Sequence, residues 1–541
     1  MTGRDEISRV ACERFGLTDL RPGQRDAIAS SLEGDDVLVV WATGSGKSAV
    51  YQVAAALRGG VTVIVSPLIA LQADQLEALH GAPGAPAAVA LNSTLGAKAR
   101  AEAWKRLKAG EVEYVFLAPE QLAKDEVITD LAKLDVSLLV IDEAHCIASW
   151  GHDFRPDYLL IGTMAARLGR PPILALTATA SNPVRDEIID RLGMSDPLVL
   201  LGDMDRPNIA LDVRRHVDDR AKREAVVSQV VELPHPGLLY TATRRASEEY
   251  AAELTARGLR AAAYHAGLPA RERATVHERF LDDGVDVVVA TSAFGMGIDK
   301  QNVRFVVHAD SPDSVDAYYQ ESGRAGRDGG AAHATLHYRP EDLSLRRFFA
   351  AKNPDAGELG AVIDALADGR RTRAELAAAA AVSPRRLTAL LTLLADTASI
   401  RVNRNSVALR RGVDLEQAVT AALARSEERE RIDRSRVEML RGYAETRRCR
   451  RQVLLGYFGQ ELGEACGNCD TCAEGSAFPG EPRSESDAAY RVDDHVQHRE
   501  WGEGTVMAVD ADRITVFFES QGYKVLSREL IEEHALLSVG G

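Results

Sequence analysis

The stretch 36–48, DVLVVWATGSGKS, restricts the possible folds more than any other part of the chain. An apolar run passes into a glycine-bearing loop and then, at Lys47 and Ser48, into the start of a helical pattern. Such a string needs a buried strand feeding a helix N-terminus, and a parallel α/β sheet is its expected host. Gly44 and Gly46 let backbone N–H groups close round a phosphate, with Thr43 and Ser45 between and beside them. Lys47 reaches the outer phosphates and Ser48 offers a hydroxyl to Mg²⁺. The string departs from G-x-x-x-x-G-K-[ST] in one respect, because Trp41 occupies the first glycine position.

A second apolar run delivers IDEAHCIASWGHDFRPDY, residues 141–158. Asp142 and Glu143 are thereby expected at the C-terminal end of a strand, where α/β sheets place ligands. Asp142 suits Mg²⁺ held through water, and Glu143 suits orienting or deprotonating an attacking water. Trp150, His152, Phe154 and Arg155 follow closely and offer flat rings and a guanidinium, the groups on which unstacked bases are gripped. Upstream, FGLTDLRPGQ (15–24) places Arg21 and Gln24 beside a Pro-Gly turn. Read alone it is a surface turn; just ahead of the phosphate loop, Gln24 can meet an adenine edge, which needs a donor and an acceptor. The strings at 61–75, 114–122 and 173–180 are further strands that end at Pro or Thr. Thr177 and Thr179 can couple the nucleotide to a bound strand, although plain strand-to-helix junctions fit these segments equally well.

Composition bounds the rest. With 541 residues and 45% apolar content, three or more domains are expected. The formal charge of −15 excludes a uniformly basic binder but leaves local basic patches open. Six cysteines, no apolar leader and no membrane-length apolar run point to a cytoplasmic protein of a reducing compartment that binds no membrane.

FGLTDLRPGQ, ATGSGKSAVYQ, VSPLIALQADQ, LAPEQL, DEAHCIASWGHDFRPDY and LALTATA resemble, in order, the motifs of the RecQ family of superfamily 2 helicases. GLLYTATRR (237–245), AAYHAGL (262–268), residues 287–308 and YYQESGRAGRDG (318–329) resemble the family's second-domain motifs. The resemblance implies two tandem RecA-like parallel-sheet domains, residues 1–205 and 206–350, with ATP between them. It also implies an ATP-dependent helicase moving 3′ to 5′ on single-stranded DNA and opening forked or duplex DNA in repair or recombination, nucleoid-associated if bacterial. Asp299 and Gln320 match positions lining the cleft. Two departures stand out: Leu17 replaces a common aromatic, and Ala148-Ser149 replace Ser-Gln. Read from the residues, the second block has no phosphate loop of its own and needs the first domain's nucleotide. Arg324 and Arg327, three apart on one expected helical face, can aim fixed cations at the γ-phosphate.

Residues 351–425 read as helices followed by a hairpin, either a duplex-binding winged helix or a packing spacer; Ser383 is the expected N-cap of one helix, with Pro384 in its first turn. An arginine-rich run, from Arg431 to Arg451, is expected to follow phosphates along a helix. Cys449 with Cys466, Cys469 and Cys472 has the spacing of a closed, structural Zn²⁺ site (426–474) and resembles the RecQ zinc subdomain. Cys12 and Cys146 are expected as core thiols. After a linker at 475–489, residues 490–541 read as a small β-barrel resembling the Tudor-like module of UvrD and PcrA helicases, which implies RNA polymerase or another protein as partner. The alternatives to a DNA helicase are an RNA helicase, or a transcription-coupled adaptor or translocase recruited through that barrel.

Overall fold

The computed structural model describes residues 3–541 apart from 43, 68, 93–94, 123, 149–157, 159, 296–299, 344–353, 398, 403–405, 478–489, 492–493, 510–512, 519–520, 535 and 540–541. Residues Met1–Arg339 with Gly442–Ser484 make one compact unit, and Pro340–Arg441 with Glu485–Gly541 another.

The first unit begins with a wholly parallel sheet. Its strands are β1 (Val37–Val40), β2 (Val61–Val65), β3 (Ala88–Leu91), β4 (Tyr114–Leu117), β5 (Val136–Ile141), β6 (Ile173–Thr177) and β7 (Leu198–Leu201). Side chains alternate between two cores: Leu38 and Val40 pack into one, Val37 and Val39 into the other. That burial on both faces is why the strands read as unbroken apolar runs. The strand order β3-β4-β2-β5-β6-β1-β7 has one functional consequence. Because β5, β6 and β1 are neighbours, the segments leaving them, which carry Asp142-Glu143, Thr177–Thr179 and the phosphate loop, emerge side by side.

A second parallel sheet follows, in the order β10-β11-β9-β12-β13-β8. It comprises β8 (Ile209–Arg215), β9 (Gly237–Tyr240), β10 (Ala261–Tyr264), β11 (Val287–Ala290), β12 (Phe305–His308) and β13 (Ala332–Tyr338). The helix Val315–Ser322 behind β12 stops at its C-cap Gly323. Arg324 and Arg327 therefore lie in turns beyond it, closed by bonds such as Arg324 N–H to the Glu321 carbonyl and Gly329 N–H to Gly326, not on the expected helical face. Gly326 at φ +55 bends the chain out of the helical path.

The same unit ends in the helix Arg450–Tyr457 and a cysteine-bearing loop whose Cys469 forms a single parallel bridge with Leu211 of β8. This turns two arginines inward. Arg450 bonds Asp470 and the Tyr443 carbonyl, while Arg451 bonds Asp205 and the Ile209 carbonyl. Both are buried, so they are structural ties and cannot follow phosphates as expected. Cys146 is buried as expected, but Cys12 is exposed. The helix Gly3–Phe15 buries Ile7, Val10 and Ala11, and Cys12 falls off that stripe.

In the second unit, helices Ala356–Ala367, Arg373–Ala379 and Pro384–Asp396 share a core with the hairpin β14 (Ile400–Val402) and β15 (Val407–Leu409). Asp355 and Thr372 form capping boxes, and the Ser383 hydroxyl accepts from Arg386 N–H as its N-cap position requires. The C-terminal strands β16 (His495–His498), β17 (Gly502–Val509), β18 (Arg513–Phe518), β19 (Gly522–Ser527) and β20 (Leu537–Val539) form an antiparallel sheet ordered β19-β18-β17-β16-β20. Among the described residues no pairing joins β19 to β20, so the expected barrel is an open half-barrel.

Candidate nucleotide site and metal centre

Gly44 and Gly46 take φ of +81 and +82, the left-handed conformation that lets the loop curl without steric cost before the helix Lys47–Arg58. The Lys47 ammonium donates to the carbonyls of Trp41 at 2.8 Å and Ala42 at 3.3 Å. Burial pulls its pKa below the ordinary lysine range, with Arg327 adding to that and Glu143 and Asp142 opposing it. Ser45 and Ser48 are half-buried on the same turn, whereas Thr43 lies outside the described residues.

Gln24, 3% exposed, holds this loop from outside. Its Nε2 donates to the Gly46 carbonyl at 2.9 Å and its Oε1 accepts from Arg21 N–H at 2.6 Å. The Arg21 guanidinium donates to the Gly44 carbonyl at 2.7 Å. Arg21 and Gln24 thus both brace the phosphate loop, and the Gln24 amide expected to meet an adenine edge is bonded to Arg21 and Gly46. The unusual Trp41 is explained as well. A Cβ on Gly23 would stand 3.0 Å from its ring and one on Gly202 only 2.3 Å, so the indole is a buried wall packed between two glycines.

Asp142 accepts from the Gln75 side chain at 3.1 Å and from Glu143 N–H at 3.0 Å. Burial, with the Glu143 charge adding, pushes its carboxyl up to about 6. The two carboxylates and the Ser48 hydroxyl offer the oxygen donors that suit Mg²⁺. Glu143 sits at φ +50, an uncommon conformation for a non-glycine residue, and its carboxylate lies 3.3 Å from His145 Nδ1. His145 Nδ1 is also 2.9 Å from the Thr177 hydroxyl, which donates to the Thr179 carbonyl at 3.0 Å. A continuous polar chain therefore runs from Glu143 to Thr179. Gln75 and His145 are the members that sequence reasoning did not single out; their place within quoted motifs was the available signal.

From the second sheet, Arg327 brings its Cδ to 3.9 Å from a Cβ built on Gly44. Arg324 is 3% exposed, with its Nε buried and lacking a hydrogen-bond partner, close to Tyr240. Gln320 is half-buried on the preceding helix. Asp299, Trp150, His152, Phe154 and Arg155 lie outside the described residues.

The sulfurs of Cys449, Cys466, Cys469 and Cys472 all lie within 4.8 Å of one another. That spacing suits one tetrahedral ion bound at about 2.3 Å per sulfur. Backbone N–H groups of Cys466 and Asn468 point at Cys449 and Cys466 sulfurs at 3.3 and 3.4 Å, as thiolates held by a cation require. The donor set fits Zn²⁺ with no open position.

The sequence matches the families described as DEAD/DEAH box helicase over 21–187, helicase conserved C-terminal domain over 221–329 and RecQ zinc-binding over 408–473. Residues 492–534 match a family described only as a protein of unknown function (DUF3553). The chain is 34% identical to a probable ATP-dependent DNA helicase RecS of Bacillus subtilis, over 86% of this chain and 91% of that one. It is also 34% identical to the ATP-dependent DNA helicase RecQ of Pasteurella multocida, over 85% of this chain and 61% of the relative. In fold it is similar to the DUF1998 helicase MrfA bound to DNA, with a TM-score of 0.54 at 17% identity over 77% of this chain and 64% of that one. On the shared RecQ zinc-binding region and the near full-length likeness to RecS, the chain belongs to the RecQ family of superfamily 2 helicases.

Proposed function

We propose that this protein is an ATP-dependent DNA helicase that moves 3′ to 5′ along single-stranded DNA and opens duplexes in repair or recombination. Arg327 set against the phosphate loop carries the reading, because it joins a cation of one sheet to the triphosphate cradle of the other. The loop amides and Lys47 would hold the phosphates; Ser48 and Asp142 would hold Mg²⁺, which would supply positive charge to neutralise them. Glu143 orients and deprotonates the attacking water. Arg324 and Arg327 stabilise charge on the transferring group, a role worth roughly 10³ to 10⁵ in rate. Closing and opening of the cleft between the two sheets would then move the chain along a strand. The Glu143–His145–Thr177–Thr179 chain supports coupling of hydrolysis to DNA, with Trp150, His152, Phe154 and Arg155 as the base-gripping loop. Unwinding of matched DNA and RNA forks tests the substrate: opening of the RNA fork alone would replace this reading with the RNA one.

The chain contains no helix, among the described residues, long and apolar enough to cross a membrane. Work on chromosomal DNA would suit a cytoplasmic protein associated with the nucleoid, if the source is bacterial. For residues 490–541 the Tudor-like resemblance favours a protein partner such as RNA polymerase. Retention of polymerase by the full chain, lost when those residues are removed, tests that assignment.

A further inference from the structure

The segment joining the two sheets, residues 202–208, is held from the cysteine-bearing module and itself holds the arginine turn. One side-chain amide makes the first connection. Gln460 donates to the Gly202 carbonyl at 2.7 Å and accepts from Met204 N–H at 2.9 Å. Arg451 bonds Asp205 at 2.9 Å, and Asn468 donates to the Pro207 carbonyl at 3.0 Å. Phe458 packs on Tyr319 at 4.9 Å between ring centres, and the Tyr319 hydroxyl donates to the Met204 carbonyl at 2.7 Å.

At the other end, the Arg206 guanidinium donates to the carbonyls of Gly323, Ala325 and Gly326, each at 2.9 Å. Asn208 donates to the Gly326 and Gly330 carbonyls at 2.8 Å. A Cβ on Gly326 would stand 2.4 Å from the Asn208 amide, so the turn is closely fitted to the linker. These are the backbone carbonyls on either side of Arg324 and Arg327. Gly202 in turn lies against Trp41, which leads into the phosphate loop. The linker thus touches the residue that leads into the phosphate loop and the turn that carries the two arginines.

We propose that Gln460 and Arg206 are positioning residues for ATP hydrolysis: the zinc-bearing module fixes the linker, and Arg206 on that linker fixes the turn that presents Arg324 and Arg327. The proposal rests on the helicase reading above. Arginine fingers act through placement, and an ångström of error is enough to cost roughly a hundredfold. Loss of either residue should therefore lower kcat and leave ATP affinity, which depends on Arg21, Gln24 and Lys47, nearly unchanged.

The test uses the full chain with zinc, saturating single-stranded DNA and Mg-ATP, comparing Gln460→Ala, Arg206→Lys and the double variant. Zinc content and thermal unfolding are measured on the same samples, and Asn208→Ser replaces Arg206→Lys should the latter not fold. We expect each single change to lower kcat at least about tenfold with KM within about twofold, at unaltered zinc content. The double variant should be no worse than the poorer single one, because the two changes break one chain of contacts. Undiminished kcat in the single variants, a raised KM at constant kcat, or losses that simply multiply in the double variant would overturn the proposal. Absence of DNA-dependent turnover in the unaltered chain would instead remove the helicase reading, and the proposal with it.

Discussion

Arg327 and Gly44 face one another across the two parallel sheets: the arginine Cδ is 3.9 Å from the point that a Cβ on Gly44 would occupy. Arg324, three residues earlier, is 3% exposed and sits near Tyr240 inside its own domain. Two arginines that look equivalent in sequence are therefore expected to fail differently. Arg327→Ala should lower ATP turnover roughly 10³-fold or more, with a smaller loss of stability than Arg324→Ala. Arg324→Ala should lower turnover and also reduce stability by roughly 1–3 kcal/mol, since it removes a buried polar partner. Turnover assays with denaturant melts check both, and identical behaviour of the two variants would contradict the placement.

Glu143 is held in a left-handed conformation with its carboxylate 3.3 Å from His145. Glu143→Gln keeps the shape and removes the base. Hydrolysis should fall by about 10² to 10⁴ with ATP binding retained. A fluorescent-nucleotide titration beside a turnover assay reads the split, and near-normal hydrolysis would reject the assignment.

Trp41 fills the space between Gly23 and Gly202 and is 6% exposed. Trp41→Ala should cost about 3–5 kcal/mol of stability, as large aromatic truncations in cores do. Urea unfolding measures this; a loss below about 1 kcal/mol would show that the indole is no structural wall.

The first sheet was largely readable because burial on both faces forces apolar runs such as 61–65, and because the loops after β1 and β5 carry chemistry in a fixed spacing. The second sheet was harder. Its edge strand β10 is Ala-Ala-Ala-Tyr and half-buried, so neither periodicity nor β-branching marks it. Arg324 and Arg327 stand out by their spacing, yet their setting on a turn depends on bonds from Arg206 and Asn208, more than a hundred residues away in the chain. The same holds for Arg450 and Arg451: a run of arginines reads as a phosphate track until Asp470 and Asp205 are seen to take two of them. Cysteine spacing, by contrast, is local enough to locate the metal centre.

His337 is buried between Gln229, which accepts from its Nε2 at 2.7 Å, and His216, whose ring nitrogen lies 2.9 Å from its Nδ1. Burial, with His216 adding, lowers its pKa to about 3 from the ordinary 6.5. The unfolded chain therefore takes up the proton first. Stability from this group is fully present above about 6.5 and is lost as pH falls towards 3, by up to about 1.4 kcal/mol per pH unit. Thermal melts between pH 7 and 5 should steepen for the unaltered chain relative to His337→Leu; parallel curves would contradict the buried neutral ring.

Zinc removal should act on the joint between the cysteine loop and β8, since Cys469 bridges to Leu211. A strong chelator is expected to lower the unfolding temperature and to expose the linker to protease. An unchanged melt after proven loss of the metal would contradict a structural ion.

Coupling of ATP hydrolysis to DNA is read by ATP turnover of the full chain with and without single-stranded DNA. Turnover should rise several-fold on DNA, and the rise should disappear in Lys47→Ala. Equal turnover with and without DNA, or undiminished turnover in Lys47→Ala, would contradict the helicase reading.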